Sequence, residues 1–313
     1  MTKKHKIVFF GTSDFAVPSL RSLLDDGRFE ILGVVTQPDR PVGRHAELTP
    51  PAVKKFVQSA VPADSGIQIL QPEKLKDEEF KSWITGIGPA CDAFVIVSYG
   101  KILPQWLLDL PKQGIINVHG SLLPRWRGAS PIQAAIAAGD AESGITVMLI
   151  DAEMDHGPIL AQAKQPVADD ETGGSLHDSL AKLGAAALPN VLADYLDGKI
   201  QPREQDHPAA TYCKMLSRDD GRLDFTKTAA ELARLVRAYH PWPGTWTTPN
   251  DKRLKIIEAT AGDADHVRKP GESFVHHGTL CFACADGTAL EIKLLQPESK
   301  RPMSTQEYLA GRK

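Results

Sequence analysis

The sequence predicts an α/β protein: a mostly parallel sheet with helices on both faces, followed by a smaller, mainly β domain. Short apolar runs alternate with stretches of helical spacing through roughly the first 200 residues, the order that puts crossover helices between parallel strands. Residues 199–208 (Lys-Ile-Gln-Pro-Arg-Glu-Gln-Asp-His-Pro) are polar, contain two prolines and read as a linker. Beyond them the apolar runs shorten and turn residues punctuate them. At 313 residues the chain is long for one core, so two domains are expected, 1–198 and 211–313, joined by 199–210.

The elements follow in order. Lys6–Phe10 is a short apolar run ending at Gly11 and reads as a buried strand. Thr12, Ser13 or Asp14 can then cap a helix running to Leu24. Ile31–Thr36 is the next strand, Pro50–Val61 a helix opened by proline, Ile67–Leu70 a short strand and Lys74–Ile84 a helix. Asp92–Ser98 and Gly114–His119 are strongly apolar strands. A helix over Ser130–Ala138, a strand over Ile145–Ile150 and a long helix over Ser175–Leu196 complete the first part. In the second, Ala229–Tyr239 is helical. The strands Leu254–Ala259, Glu272–His276, Thr279–Ala285 and Ala289–Leu295 suggest a small β barrel, with Asp286-Gly287 as a hairpin turn.

Composition narrows the class. A hydrophobic content of 42% with 24% charged residues is that of an ordinary globular protein. A net charge of -3 argues against indiscriminate nucleic-acid binding. The charge is uneven: 211–313 hold 16 Lys/Arg against 13 Asp/Glu, whereas 1–210 hold 20 against 26. A mildly basic second domain can meet a polyanion, although an accident of composition explains the numbers as well. Four cysteines are too few for a disulfide scaffold. Cys281 and Cys284 form a C-x-x-C without a second pair, inside an apolar run, and read as strand entering a turn. After Lys3, Lys4 and Lys6 only Ile7 to Phe10 is apolar, too short for a signal peptide, and no stretch is long enough to span a bilayer. The cytoplasm is the expected location.

The chemistry concentrates in Asn117-Val118-His119-Gly120-Ser121-Leu122-Leu123-Pro124 and in Met154-Asp155-His156-Gly157. An amide, an imidazole and a carboxylate are the parts needed to move a carbonyl group onto an amine. Asn117 and His119 share a face at the carboxyl end of a predicted strand, where ligands bind in parallel sheets. Gly120-Ser121 permits close approach, and Leu122-Leu123-Pro124 offers an apolar wall for a flat ring. His119 taken alone also reads as a structural histidine. Asp155 reads either as a turn residue before Gly157 or as a desolvated carboxylate, with Asp151, Glu153 and His156 as competitors. Arg125 and Arg127 flank Trp126 and suit either a phosphate or carboxylate ligand or a solvated loop. The Gly11 turn lacks both nucleotide-loop patterns. The long loop 36–51 is a functional candidate by its length. The aromatic, proline-rich turn His240–Trp246 suits stacking or helix packing.

The run from Ile116 to Gln133 resembles the signature of the formyltransferases that use 10-formyltetrahydrofolate. The segments Gly139–Met148 and Met154–Gly157 continue it. Phe9–Phe15, Thr36–Arg44, Asp170–Leu176, His240–Pro243 and Lys300–Leu309 extend it over nearly the whole chain. The second domain and the 36–51 loop are similar to the tRNA-directed branch of that family. The resemblance implies a doubly wound, Rossmann-like domain that binds folate and does the chemistry, and an OB-like barrel that helps hold tRNA. It implies 10-formyltetrahydrofolate as donor, no metal, and initiator methionyl-tRNA as acceptor, serving translation initiation. A monomer with no obligate protein partner and no membrane attachment is expected. By motif position Asn117, His119 and Asp155 take the catalytic places, and Ser121, Leu122, Leu123 and Pro124 fall where the family contacts folate. In the direct attack of an amine, Asn117 would hold the developing oxyanion and His119 would donate to it or protonate it. Asp155 would orient His119 and help take the amine's proton. The alternatives are an N-formyltransferase acting on a sugar nucleotide or another small amine, and a non-enzymatic RNA binder. One departure stands out: Gly43-Arg44 is followed by His45-Ala46-Glu47, where the family carries a basic run. Besides Arg40 and Arg44, Lys54 and Lys55 are the nearby cations that could replace it.

Overall fold

The computed structural model describes residues 4–43, 46–264 and 268–311. The chain forms two compact units, each assembled from separated segments. The first draws on Met1–Arg127, Gly144–Gln165 and His177–Tyr212, the second on Gly128–Ser143, Pro166–Leu176 and Cys213–Lys313.

The first unit is organised on seven strands: β1 His5–Gly11, β2 Phe29–Val35, β3 Gln68–Leu70, β4 Ala93–Val97, β5 Ile115–His119, β6 Glu142–Leu149 and β7 Ile159–Pro166. Their spatial order is β7-β6-β5-β4-β1-β2-β3. β1 is parallel to β2 and β4, β2 to β3, and β4 to β5. β6 runs antiparallel to β5, with Asn117 opposite Met148 and His119 opposite Thr146. Ile7 to Phe10 are fully buried and all five residues of β4 are buried, as a sheet covered on both faces requires. β7 was not predicted. After Ile159 and Leu160 its burial alternates through Ala161–Pro166, so only one face is apolar and no continuous run marks it.

Helices α1 Ala16–Asp25, α2 Ala52–Ala60 and α3 Glu78–Ile87 follow β1, β2 and β3 in the chain. α1 buries Ala16, Ser19, Leu20 and Leu23, the spacing of one helical face. The expected cap is corrected: the residue before α1 is Phe15, with no side-chain cap. Thr12 and Ser13 are used elsewhere. The Thr12 hydroxyl donates to the Tyr99 carbonyl at 2.9 Å, and that of Ser13 to Ser98 at 2.7 Å, tying the β1 exit to the β4 exit. α3 starts later than Lys74 because Asp77 accepts from the Lys74 N–H at 2.8 Å and closes a turn ahead of the helix. α4 Pro131–Ala138 and α5 Gly173–Leu196 lie close to their expected positions.

In the second unit α6, Ala229–Ala238, opens on a capping box. Glu231 accepts from the Thr228 N–H at 2.8 Å, and the Thr228 hydroxyl accepts from the Glu231 N–H at 3.3 Å. Its Leu232 and Val236 pack with Leu254, Ile256, Phe282, Leu290 and Ile292 of an antiparallel sheet. The strands are β8 Thr245–Thr247, β9 Leu254–Asp263, β10 Ser273–His276, β11 Thr279–Ala283, β12 Thr288–Pro297 and β13 Met303–Ser304. The path is β8-β9-β12-β11-β10, with β13 on β12, and α7, Thr305–Ala310, follows. Asp286 (φ 55°) and Gly287 (φ 70°) both take the left-handed conformation between β11 and β12. No described helix is long and apolar enough to cross a membrane.

Cys281 and Cys284 are buried and outside any disulfide, and their thiols donate to the carbonyls of Thr279 and Phe282. Burial pushes the Cys284 thiol up to about 11, and burial followed by the nearby Asp92 charge does the same for Cys91. Both should resist alkylation at pH 8 in the native protein, and mass spectrometry should find them modified only at the rate of unfolding.

Candidate active site

β5 delivers the first two groups. Asn117 and His119 project from one face, two residues apart. The His119 ring is 6% exposed and its Nε2 lies 2.9 Å from the Trp126 carbonyl oxygen. A carbonyl oxygen can only accept, so Nε2 carries hydrogen. The other nitrogen, Nδ1, faces Asp155 Oδ1 at 3.6 Å. That separation exceeds a direct hydrogen bond, and it leaves Nδ1 as the nitrogen that gains or loses a proton. Asn117 is half-buried, and among the described residues its side-chain amide has no hydrogen-bond partner.

The carboxylate comes from the loop Asp151–Gly157. Asp155 sits there at φ 49°, the left-handed region that costs an L-residue roughly 1–2 kcal/mol and that Asp tolerates better than most. The competitors are engaged otherwise. His156 Nδ1 donates to Asp151 Oδ2 at 2.7 Å, Asp151 Oδ1 accepts from the Glu153 N–H at 3.0 Å, and the Glu153 side chain is exposed. Met154 is 59% exposed and supplies no apolar cover. Gly157 closes the loop where the chain passes the Leu149 carbonyl: a Cβ there would lie 2.2 Å from that oxygen.

The segment after His119 is braced from below. The Thr146 hydroxyl donates to the Ser121 carbonyl at 2.7 Å and accepts from the Leu123 N–H at 3.0 Å. Gln162 donates to the Leu123 carbonyl at 2.8 Å. Ser121 is 2% exposed and its hydroxyl donates to the Arg125 carbonyl at 2.6 Å, so it holds the turn. Leu123 is buried with Met148 and Ile159, which leaves the edges of Leu122 and Pro124 as the partly exposed apolar surface. The Leu123–Pro124 peptide is cis.

The two arginines part company. Arg125 is exposed, with its guanidinium 4.5 Å from the Trp126 ring centroid. Arg127 is buried and binds Gln205, a residue that sequence reasoning placed in the linker. The 36–51 loop contains a short hairpin, Arg40–Val42 with Glu47–Thr49. Of the residues His45-Ala46-Glu47 that stand where the family carries its basic run, Ala46 and Glu47 are exposed, and His45, like the retained Arg44, lies outside the described residues. Lys54 is corrected as a substitute cation: its ammonium sits 2.8 Å from Asp39 and 2.7 Å from Gln71. The Gln71 amide and then Lys54 hold the Asp39 carboxyl below its ordinary range. Arg40 lies 2.8 Å from Glu73, and Lys55 is exposed. Among the described residues no three His, Cys, Asp or Glu side chains gather as a metal site would.

Residues 5–192 match the family described as Formyl transferase, and residues 215–313 match Formyl transferase, C-terminal domain. A methionyl-tRNA formyltransferase of Stutzerimonas stutzeri is 46% identical over 97% of this chain and 93% of its own length. That of Acidobacterium capsulatum is 42% identical over 98% and 96%. Among solved structures WlaRD, a sugar 3N-formyl transferase, covers 96% of this chain and 100% of its own with a TM-score of 0.66 at 20% identity, a likeness of fold.

The tight passage of Gly157 gives a direct expectation. Gly157→Ala should lower unfolding stability by about 1–3 kcal/mol in denaturant titrations, because the obstructing atom is backbone and cannot swing aside.

Proposed function

This chain belongs to the formyl transferase family, and from that premise we propose that Asn117, His119 and Asp155 carry its reaction. The reaction is transfer of the formyl group of 10-formyltetrahydrofolate to the free α-amine of initiator methionyl-tRNA, giving N-formylmethionyl-tRNA for translation initiation. Relatives carrying that activity in their names align over nearly all of both chains. The sugar formyltransferase shares the fold at far lower identity, which makes a sugar-nucleotide acceptor the weaker reading.

The observation that carries the site is the meeting of His119 Nδ1 with Asp155, with the uncommitted Asn117 amide on the same strand face. Asn117 donates to the formyl oxygen as negative charge gathers there, and a donor of this kind is worth about 3 kcal/mol in the transition state. With the Nε2 hydrogen committed to Trp126, His119 works through Nδ1, and as the imidazolium, with both nitrogens protonated, it donates from Nδ1 to that oxygen or gives it a proton. Asp155 keeps the imidazole oriented and takes up the proton that the attacking amine loses. As the tetrahedral intermediate collapses, the bond from the formyl carbon to the folate nitrogen breaks and that nitrogen leaves with the proton held by Asp155. The oxygen returns to a carbonyl, giving back to His119 any proton it took. Partly exposed Leu122 and Pro124 suit the flat face of the folate, and Ser121 and Leu123 keep that wall in place. The mildly basic OB-like domain helps hold the tRNA. The enzyme acts as a monomer in the cytoplasm, where charged tRNA is used.

Asn117→Ala, His119→Ala and Asp155→Ala should each lower kcat at least ~100-fold with KM little changed. A His119→Ala protein with near-normal turnover would remove it from the mechanism. Assays with charged initiator and elongator tRNAs side by side should favour the initiator. The KM for tRNA should rise with salt, because phosphate contacts release counterions and that release is less favourable at higher salt, whereas a small-amine acceptor would show little salt dependence.

A further inference from the structure

The segment that reads as a linker is built into the catalytic unit. Arg203 pairs with Ile159 at the start of β7 through two backbone hydrogen bonds of 2.7 and 2.9 Å. Two residues on, Gln205 is 5% exposed. Its amide nitrogen donates to the carbonyls of Asp155 at 2.9 Å and of Gly157 at 2.7 Å. Its oxygen accepts from Arg127 Nε at 3.1 Å and Nη2 at 2.7 Å. Both hydrogens and both lone pairs of one side chain are thereby used.

Arg127 is held in turn. It is 2% exposed, and its Nη2 also donates to His207 Nδ1 at 2.8 Å, which requires that nitrogen to be unprotonated. The His207 ring stacks on His156 of the Asp155 loop, with centroids 4.0 Å apart and planes 5° from parallel. Thr211 secures the other side of the site. Its hydroxyl accepts from the Trp126 N–H at 2.9 Å and its carbonyl from the Arg127 N–H at 2.8 Å. Trp126 is the residue whose carbonyl receives the His119 hydrogen.

We propose that Gln205, held by Arg127, is a positioning residue that fixes Asp155 opposite His119 by clamping the carbonyls of Asp155 and Gly157. Asp155 holds a left-handed backbone angle, and rotation of the peptide that follows it would swing its carbonyl away from Gln205. The clamp resists that rotation and so keeps the carboxylate on the imidazole side. It rests on the reading of Asp155 as a member of the catalytic set.

The test is a double-mutant cycle on kcat. Gln205→Ala should lower kcat by about 10-fold or more with both KM values within about 2-fold of wild type, while Asp155→Asn lowers it about 100-fold. Combined, the two should cost little more than Asp155→Asn alone, since a clamp acting through Asp155 has nothing left to position. A full multiplicative loss in the double variant overturns the proposal, because it assigns Gln205 an effect independent of Asp155. Gln205→Glu supplies a second reading, and carries the test if the alanine variant does not fold. It keeps the acceptor for Arg127 but loses both donors, so its kcat should fall as far as that of Gln205→Ala, and wild-type turnover overturns the clamp. Asp155→Asn with normal turnover would refute the catalytic reading and this inference together. Asp155→Asn impaired beside Gln205→Ala at wild-type kcat would refute the inference alone.

Discussion

The hydrogen on His119 Nε2 is the constraint from which the rest of the site follows. Because the Trp126 carbonyl fixes it there, the ring cannot exchange its nitrogens, and Nδ1 must face the Asp151–Gly157 loop. Without that bond the imidazole would be free to turn, and the carboxylate opposite would meet either nitrogen. The main chain of Trp126 therefore decides which ring nitrogen faces Asp155. That main chain is itself held by Thr211 rather than by a neighbour in sequence.

The sheet supplies rigidity of a different kind. Parallel strands β1, β2 and β4 end where Thr12, Gln37 and Tyr99 interlock through hydroxyl, amide and carbonyl groups. β5 ends beside them at His119 and is tied on its other edge to the antiparallel β6. Strands hold two side chains on one face at a fixed spacing, so Asn117 and His119 need no adjustment relative to each other. The carboxylate, by contrast, rides on a loop, and a loop needs outside support to match that precision. Lys54 and Gln71 likewise hold Asp39, the residue before Arg40–Val42, and the Lys54 ammonium is engaged there.

Much of this was legible in the residues. Ile7–Phe10 of β1 and all of β4 are continuous apolar runs buried on both faces, as a covered parallel sheet requires, and β5 interrupts such a run only at Asn117 and His119. The pairing of Asn117 with His119 on one face follows from strand periodicity alone. Asp155 could not be told from Asp151 or His156, because only the folded loop shows those two bonded to each other. Helix starts were misplaced where Ser, Thr and Asp serve distant loops or local turns instead of caps. β7 went unseen because half of it faces outward. Gln205 left no local trace at all. A glutamine between prolines, acids and histidines looks solvated, and its burial arises from Arg127, 78 positions away, and from Gly157, 48 positions away.

The interleaving of segments has a consequence for biosynthesis. Gln205 and Thr211 leave the ribosome long after the strand that carries His119. A nascent chain halted at residue 198 would already hold every strand of the seven-stranded sheet, yet it would lack both braces beside His119 and Asp155. Completion of the hydrogen-bonded frame around His119 and Asp155 is thus coupled to emergence of the polypeptide through residue 212, late in translation of this unit.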